Sequence, residues 1–415
     1  MTSRRELALN LSLLLISSAL SLVGAFAFLV FYMPVNPTVY QLDERCLYRL
    51  IPGSVKVFRH MRVNGGSRVT VRINRAGFRG EELADRSLVR RIVVYGDSFI
   101  EAESSPLEET FCQRLDALLN RSLPGAPVEV VNAGVGGYGP DQVSLRLPDE
   151  LRSLAPDLVI VAIYAGNDFG DLLRNKLYRL GADGRLLEQR AVLSRSLQGH
   201  LARSTEAERV DGGALRRLLT ALYWETNPRQ VEREAGLPDR GRHEGLVAWS
   251  LRASRYEYRN YVQRGDPEVV NLFGDYYDAD MVVRPGSEAA RWKASLMQQV
   301  VDRIGRTLAA QGTPLLLLVI PCAIDVCPNR HFRGVEQELA GKPRSTLTDE
   351  LAGIAERCGI PCVNPFESFL AKSGSTHLYY RDPETHWNAA GQELAARLTA
   401  ERIVDLGLLE PRPPS

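Results

Sequence analysis

Net charge is nearly absent from this sequence: 51 Lys and Arg stand against 50 Asp and Glu in 415 residues, a formal balance of +1. Nucleic acid is held largely through cation–phosphate contacts, so the bulk electrostatics give no reason to expect it as a partner. Metal-ligand spacing is missing as well. The six cysteines (Cys46, Cys112, Cys322, Cys327, Cys358 and Cys362) have no His or Cys beside them at the intervals of a zinc site. No motif implies an organic cofactor. No internal repeat is evident, which argues against a solenoid or propeller. What remains is ordinary: 45% hydrophobic and 24% charged residues, the composition of a globular chain, with length for one large domain or two ordinary ones.

One stretch departs from that average. Arg4 and Arg5 precede a run from Leu7 to Tyr32 without a charged residue, and the next charge is Asp43. A helix of about 20 apolar residues spans the hydrocarbon core of a bilayer. The basic flank lies before the run, so the positive-inside rule puts the N-terminus in the cytoplasm and the body outside. A cleaved signal peptide competes with this reading, because Ala25-Phe26-Ala27 resembles a small-residue cleavage site. Phe28 to Tyr32 stays apolar beyond it, which favours an uncleaved anchor. Ser3-Arg4-Arg5 resembles a twin-arginine signal, but paired arginines before hydrophobic runs are common. The expectation is a single-pass membrane protein whose catalytic domain is periplasmic or extracellular, with residues 1–39 as anchor and linker. There disulfides can persist, and Cys322/Cys327 and Cys358/Cys362 are close enough to be local pairs. Cys112 falls within a predicted helix and equally suits a buried thiol.

Residues 40–90 read as a lead-in with short strands such as Arg68 to Ile73. Beyond it, apolar runs alternate with helical patterns. Arg91 to Tyr95, Val128 to Val131 and Asp157 to Tyr164 are strands, and Leu107 to Asn120 and Asp141 to Leu154 are helices. The alternation predicts a parallel sheet with crossover helices, covered on both faces. It stops over about 174–288, where Gly212 to Trp224 and Leu246 to Val262 are candidate helices. It resumes with a helix from Ala289 to Ala310, a strand from Pro314 to Ile320 and a helix near Thr346 to Cys358. A short run at Ile360 to Asn364 and a helix from Ala389 to Leu406 follow. We therefore read 40–415 as one α/β domain carrying a mostly helical or irregular insertion at about 174–288.

Three predicted strands end in glycine-containing turns: Gly96-Asp97-Ser98, Asn132-Ala133-Gly134 and Gly166-Asn167-Asp168. Ligands of open α/β sheets gather at the carboxyl ends of strands. Ser98 offers a hydroxyl, Gly134 an unobstructed backbone N–H and Asn167 an amide donor. A hydroxyl with convergent N–H groups suits acyl transfer, where an oxyanion must be held. Of the six histidines, only His386 has a suggestive setting, Asp382-Pro-Glu-Thr-His-Trp-Asn388 before the last helix. An acid beside this base would orient it. Glu384, two residues away, shares a face with His386 in extended chain, while Asp382 needs a turn that Pro383 disfavours. Glu384 is preferred and Asp382 stays open.

Each block has a bland reading too. Asp97 or Ser98 is a natural N-cap, Asn132 and Asn167 are turn formers, and Asp168 suits a structural hydrogen bond. Tyr138 reads as packing. In the insertion, Arg252, Arg255 and Arg259 interleave with Tyr256, Tyr258 and Tyr261. This pattern fits either an anionic-glycan surface or a solvated helix face packed on the main domain, and the second is expected.

Taken in order, Gly96-Asp97-Ser98, Gly134 in Asn132-Ala-Gly-Val-Gly-Gly-Tyr-Gly139, Gly166-Asn167-Asp168 and His386 resemble the four blocks of the SGNH/GDSL hydrolase superfamily. The resemblance covers about 90–172 and 290–406. It implies a flavodoxin-like three-layer sandwich and a serine nucleophile at Ser98. It also implies an oxyanion hole from the Ser98 and Gly134 N–H groups and the Asn167 amide. Asn74-Arg-Ala-Gly-Phe-Arg-Gly80 looks like a segment upstream in some bacterial members. The sequence departs from the family at Pro383, where Asp is usual three residues before the His. The His-Trp-Asn ending is similar to relatives that O-acetylate exopolysaccharides. With the outward topology read from the N-terminal run, the resemblance implies an extracytoplasmic esterase acting on O-acyl, chiefly O-acetyl, groups of an acylated carbohydrate or small ester. The alternatives are an O-acyltransferase and a non-catalytic glycan-binding or scaffold protein in a polysaccharide-assembly complex.

Overall fold

The structure is a computed structural model that describes residues 4–32, 39–60, 62–125, 127–195, 197–198, 201, 245–272, 276–327, 338–381 and 385–409. The chain opens with α1 (Arg4–Tyr32), whose leucines from Leu7 to Leu22 are exposed. Among the described residues it is the one helix long and apolar enough to cross a membrane. Two antiparallel hairpins follow, β1 (Tyr40–Asp43) with β2 (Leu47–Leu50), and β3 (Val55–Arg59) with β4 (Arg68–Arg72). The alternation begins with β5 (Arg90–Tyr95), α2 (Ser98–Glu101), α3 (Phe111–Ser122) and β6 (Val128–Asn132). It continues through α4 (Pro140–Leu154), β7 (Leu158–Tyr164) and α5 (Asp168–Asn175). The described part of the interruption holds β8 (Tyr178–Leu180), β9 (Leu186–Glu188), β10 (Val192–Leu193), α6 (Leu246–Tyr258), β11 (Glu268–Val269) and α7 (Ala279–Val283). The last run is α8 (Glu288–Ala309), β12 (Leu315–Ile320), α9 (Ala323–Val326), α10 (Thr346–Arg357), β13 (Cys362–Val363), α11 (Phe366–Ser373) and α12 (Ala389–Asp405).

Five parallel strands form the central sheet in the order β13-β12-β7-β5-β6. By chain position this is the flavodoxin-like order, with its switch point between β5 and β7. The strands are apolar runs because both faces are covered. Side chains alternate between those faces. Ile92 and Val94 pack with Phe111, Leu115 and Ala395, from α3 and α12, while Val93 and Tyr95 face Val143, Leu147 and Val300, from α4 and α8. Tyr95 lies opposite Val161, and Val94 opposite Asn132, so the turns after β5, β6 and β7 open on one edge.

Several boundaries differ from the sequence expectation. The helix expected from Leu107 starts as a 3-10 turn, Leu107–Glu109, and restarts at Phe111. Thr110 is extended there, and its hydroxyl caps Gln113 N–H, as an N-cap does. The helix expected over Leu246 to Val262 passes at Arg259 into a π-helical turn, Arg259–Gln263. The expected helix Gly212 to Trp224 lies outside the described residues. No disulfide joins Cys322 to Cys327 or Cys358 to Cys362, the two pairs expected from spacing. Cys112 is buried against α12 and β6 neighbours, and burial raises its pKa, which suits an inert core thiol.

Candidate active site

β5 delivers the chain to Gly96, where a Cβ would sit 2.6 Å from Ile100 Cγ1. The chain then turns into α2, a single turn of helix starting at Ser98. The Asp97 carboxylate caps it, accepting the Phe99 N–H at 2.9 Å. The capping role read for Asp97 is therefore realised without cost to Ser98, whose side chain faces the cleft. Carbonyls at a helix end need donors. Here Arg79, 3% exposed, donates to the carbonyl oxygens of Glu101 and Ala102, and to that of Ser105 at 2.6 Å. The lead-in segment Asn74 to Gly80 supplies this clamp. Asn74 Oδ1 organises it by accepting the Ala76 and Phe78 N–H groups, both at 3.0 Å.

His386 is held from both sides in sequence. Trp387 is fully buried, with ring centroids of Phe99 and Phe369 at 5.3 and 5.6 Å. Asn388 caps α12, its Oδ1 accepting from Ala390 and Gly391 at 3.0 and 3.1 Å, and its Nδ2 donates to His377 O at 2.8 Å. The Tyr380 N–H donates to His386 O at 2.9 Å. The ring lies 4.9 Å from that of Phe99, and Nε2 stands 2.6 Å from Ser98 Oγ. Two groups 288 residues apart in sequence thus meet at hydrogen-bond distance. The candidate acids Asp382 and Glu384 lie outside the described residues. Trp387 and Asn388 act as packing and cap, so they position His386 and do not themselves line the cleft.

Asn167 follows β7 and occupies the N-cap position of α5, yet its side chain makes no cap hydrogen bond. It is 7% exposed, lines the same cleft as Ser98 and His386, and its Oδ1 is buried without a partner. Asp168 is structural, Oδ2 accepting the Tyr164 N–H at 2.9 Å. Gly134 is placed differently from Asn167. Its N–H donates to Asn132 Oδ1 at 3.1 Å, while Asn132 Nδ2 holds Ile100 O at 2.6 Å. A Cβ on Gly134 would lie 2.3 Å from Glu101 N and 2.7 Å from Ile100 C. Gly134 therefore lets the second block press against the back of α2. On Gly136 a Cβ would meet the Tyr40 hydroxyl at 2.8 Å and Glu101 Oε2 at 3.1 Å, and would lie 3.9 Å from Ser98 Cβ. The run of glycines after Asn132 signalled this turn; which of them approaches Ser98 was not legible from spacing. Tyr138 packs in the core, as expected, 1% exposed and donating to Tyr48 O.

The cleft has a volume of about 230 Å³. The insertion supplies one wall, Leu246, Tyr276 and Tyr277, and the α9 turn supplies Cys322, Ala323 and Ile324. Behind it, the Tyr277 hydroxyl donates to Asp325 Oδ1 at 2.8 Å, and burial pushes the Asp325 carboxyl up to about 7 despite that hydrogen bond. The Arg/Tyr face of the insertion divides. Tyr261 is 3% exposed and donates to Tyr178 O at 2.7 Å, a packing role. Arg255, Tyr258 and Arg259 line a separate cleft of about 360 Å³ with Arg284.

Residues 276–414 match the model of a family described as "SGNH hydrolase-like domain, acetyltransferase AlgX". No curated protein matches the chain. Among solved structures it is similar to LAE5, an alpha/beta hydrolase enzyme from the metagenome of Lake Arreo, Spain, at 14% identity, 78% of this chain, 97% of that chain and a TM-score of 0.37. It is also similar to Axe2, an acetylxylan esterase from Geobacillus stearothermophilus, at 12% identity, 76% of this chain, 94% of that chain and a TM-score of 0.35. For TesA the values are 14% identity, 76% of this chain, 99% of that chain and a TM-score of 0.37. The family match spans residues 276–414, the segment that carries His386, and over that segment the chain is similar to an SGNH hydrolase-like domain.

Proposed function

We propose that this protein is a serine esterase acting on O-acyl esters, chiefly O-acetyl groups of a cell-surface or secreted polysaccharide. The observation that carries the reading is the 2.6 Å contact between His386 Nε2 and Ser98 Oγ at the mouth of a cleft. Ser98 Oγ attacks the ester carbonyl as His386 takes its proton, giving a tetrahedral oxyanion and then an acyl-enzyme; His386 returns the proton to the departing alcohol. Water activated by the same imidazole then releases the acid. The Ser98 N–H, the Asn167 amide and a backbone N–H of the second block hold the oxyanion. Glu384, or Asp382, orients the imidazole. The apolar lining of the cleft suits a short acyl group, and the body lies on the extracytoplasmic side of α1.

A second reading replaces water with a sugar hydroxyl, making the protein an O-acetyltransferase. The specific observation favouring it is the family description over residues 276–414. Covalent labelling with a fluorophosphonate probe tests the shared chemistry: it should modify Ser98 and require His386. A folded protein that fails to label would reverse the conclusion in favour of a binding or scaffold role. Incubation with an acetyl donor and a glycan acceptor separates the two acyl readings, since release of free acetate alone excludes transfer.

A further inference from the structure

Glu101 lies three residues after Ser98 and is 1% exposed. Its carboxylate gathers three distant segments. Oε1 accepts from Lys56 Nζ of β3 at 2.9 Å. Oε2 accepts from the Tyr40 hydroxyl of β1 at 3.0 Å and from the Gly136 N–H at 2.6 Å. Lys56 also contacts the Glu103 carboxylate, and its Nζ stands 5.4 Å from the Tyr40 ring centroid. The charges are well secured. Burial works against the Glu101 anion, but Lys56 overcomes it and holds the carboxyl below its usual range. Burial likewise opposes the Lys56 ammonium, and Glu101 with Glu103 pushes it up to about 12.

Stability alone is a poor reason for this arrangement, because a buried ion pair contributes no more than a well-packed apolar pair of similar volume. Its location is more telling. The Gly136 N–H is engaged by Glu101 and the Gly134 N–H by Asn132. A Cβ on Gly136 would lie 3.9 Å from Ser98 Cβ, and Gly137, which follows it at φ +76, has no N–H partner among the described residues. An oxyanion donor must be held in place before the negative charge develops.

We propose that Glu101 is a positioning residue, locked by Lys56 and Tyr40, that fixes the Gly136–Gly137 turn so that the Gly137 N–H meets the oxyanion formed at Ser98. The hairpins β1–β2 and β3–β4 are then part of the catalytic apparatus. This inference rests on the serine-esterase reading above. Glu101 touches no reacting atom; it acts through the turn.

The test is steady-state hydrolysis of p-nitrophenyl acetate by the full chain in detergent, with melting temperature recorded for each variant. Glu101→Gln and Lys56→Met should each lower kcat by about 10- to 100-fold, with KM changed no more than about threefold, because the turn acts on the transition state and not on bound substrate. Lys56→Arg should restore most of kcat, and the double variant should fall little further than either single one. Folded Glu101→Gln with wild-type kcat, or a loss confined to KM, overturns the proposal. Should Glu101→Gln not fold, Tyr40→Phe carries the test by removing one hydroxyl: a several-fold drop in kcat at constant KM supports the proposal, and an unchanged kcat overturns it. Turnover that survives Ser98→Ala defeats the esterase reading and this inference together. Ser98-dependent turnover indifferent to Glu101 defeats this inference alone.

Discussion

Gly134→Ala isolates what the second block does. An alanine Cβ would sit 2.3 Å from Glu101 N and 2.7 Å from Ile100 C, both backbone atoms of α2. Ordinary contact needs about 3.5 Å, and neither backbone atom can rotate away, so the helix and the turn must separate by about 1 Å. α2 carries Ser98, whose Oγ is 2.6 Å from His386 Nε2, and a shift of that size breaks the contact. A misplacement of about 1 Å at reacting groups costs roughly 100-fold in rate, and overpacking costs about 1–3 kcal/mol of stability. The assay is ester turnover together with the rate of fluorophosphonate labelling and the melting temperature. Both rates should fall by about 100-fold in a protein that still folds. If Gly134→Ala labels and turns over at the wild-type rate, the close packing of α2 on this glycine is not what aims Ser98, and the reasoning fails. Serine as nucleophile would be unaffected by that result.

Three further outcomes follow from the site. Asn167→Ala removes an amide that makes no cap bond, so it should lower kcat by about 100- to 1000-fold while leaving the melting temperature within a degree or two; an equal loss of stability would recast Asn167 as structural. Asn388→Ala deletes the cap of α12 and should cost about 1 kcal/mol of stability in a denaturant titration, with a milder loss of turnover as His386 loosens; unaltered stability would deny Asn388 its capping role. The third concerns pH. Burial pushes the carboxyls of Asp325, Asp141 and Glu257 each up to about 7. Between about pH 4 and pH 7 these groups are protonated when folded and ionised when unfolded, so stability falls as pH rises through that window and levels off above it. Asp325→Asn keeps an acceptor for the Tyr277 hydroxyl and should shrink the drop in melting temperature between pH 5 and pH 8. An unchanged drop would show that Asp325 does not titrate there.

Much of this protein is legible in sequence because it is encoded locally. An uncharged run from Leu7 to Tyr32 is a long apolar helix on composition alone. Apolar runs alternating with amphipathic ones require a covered parallel sheet, and glycine turns after β5, β6 and β7 mark its carboxyl edge. Those features suffice to place Ser98, Gly134 and Asn167 on one edge, since parallel strands bring their ends to one side whatever their order; His386 follows no sheet strand and is singled out by its setting before the last helix. The tertiary structure decided what depends on contacts between distant residues. Strand order put the switch point between β5 and β7. It also determined how the second block packs: a Cβ on Gly134 would meet the backbone of α2, whereas one on Gly136 would meet Tyr40 and the Glu101 carboxylate and approach Ser98 Cβ, a distinction set by contacts between distant segments that no spacing encodes. Arg79 and Lys56 carry no catalytic signature in their own segments. They come beside α2 only because the β3–β4 hairpin and the Asn74–Gly80 segment after it fold against that helix, where a carboxylate and helix-end carbonyls, buried from water, require charged and hydrogen-bonding partners from somewhere else in the chain.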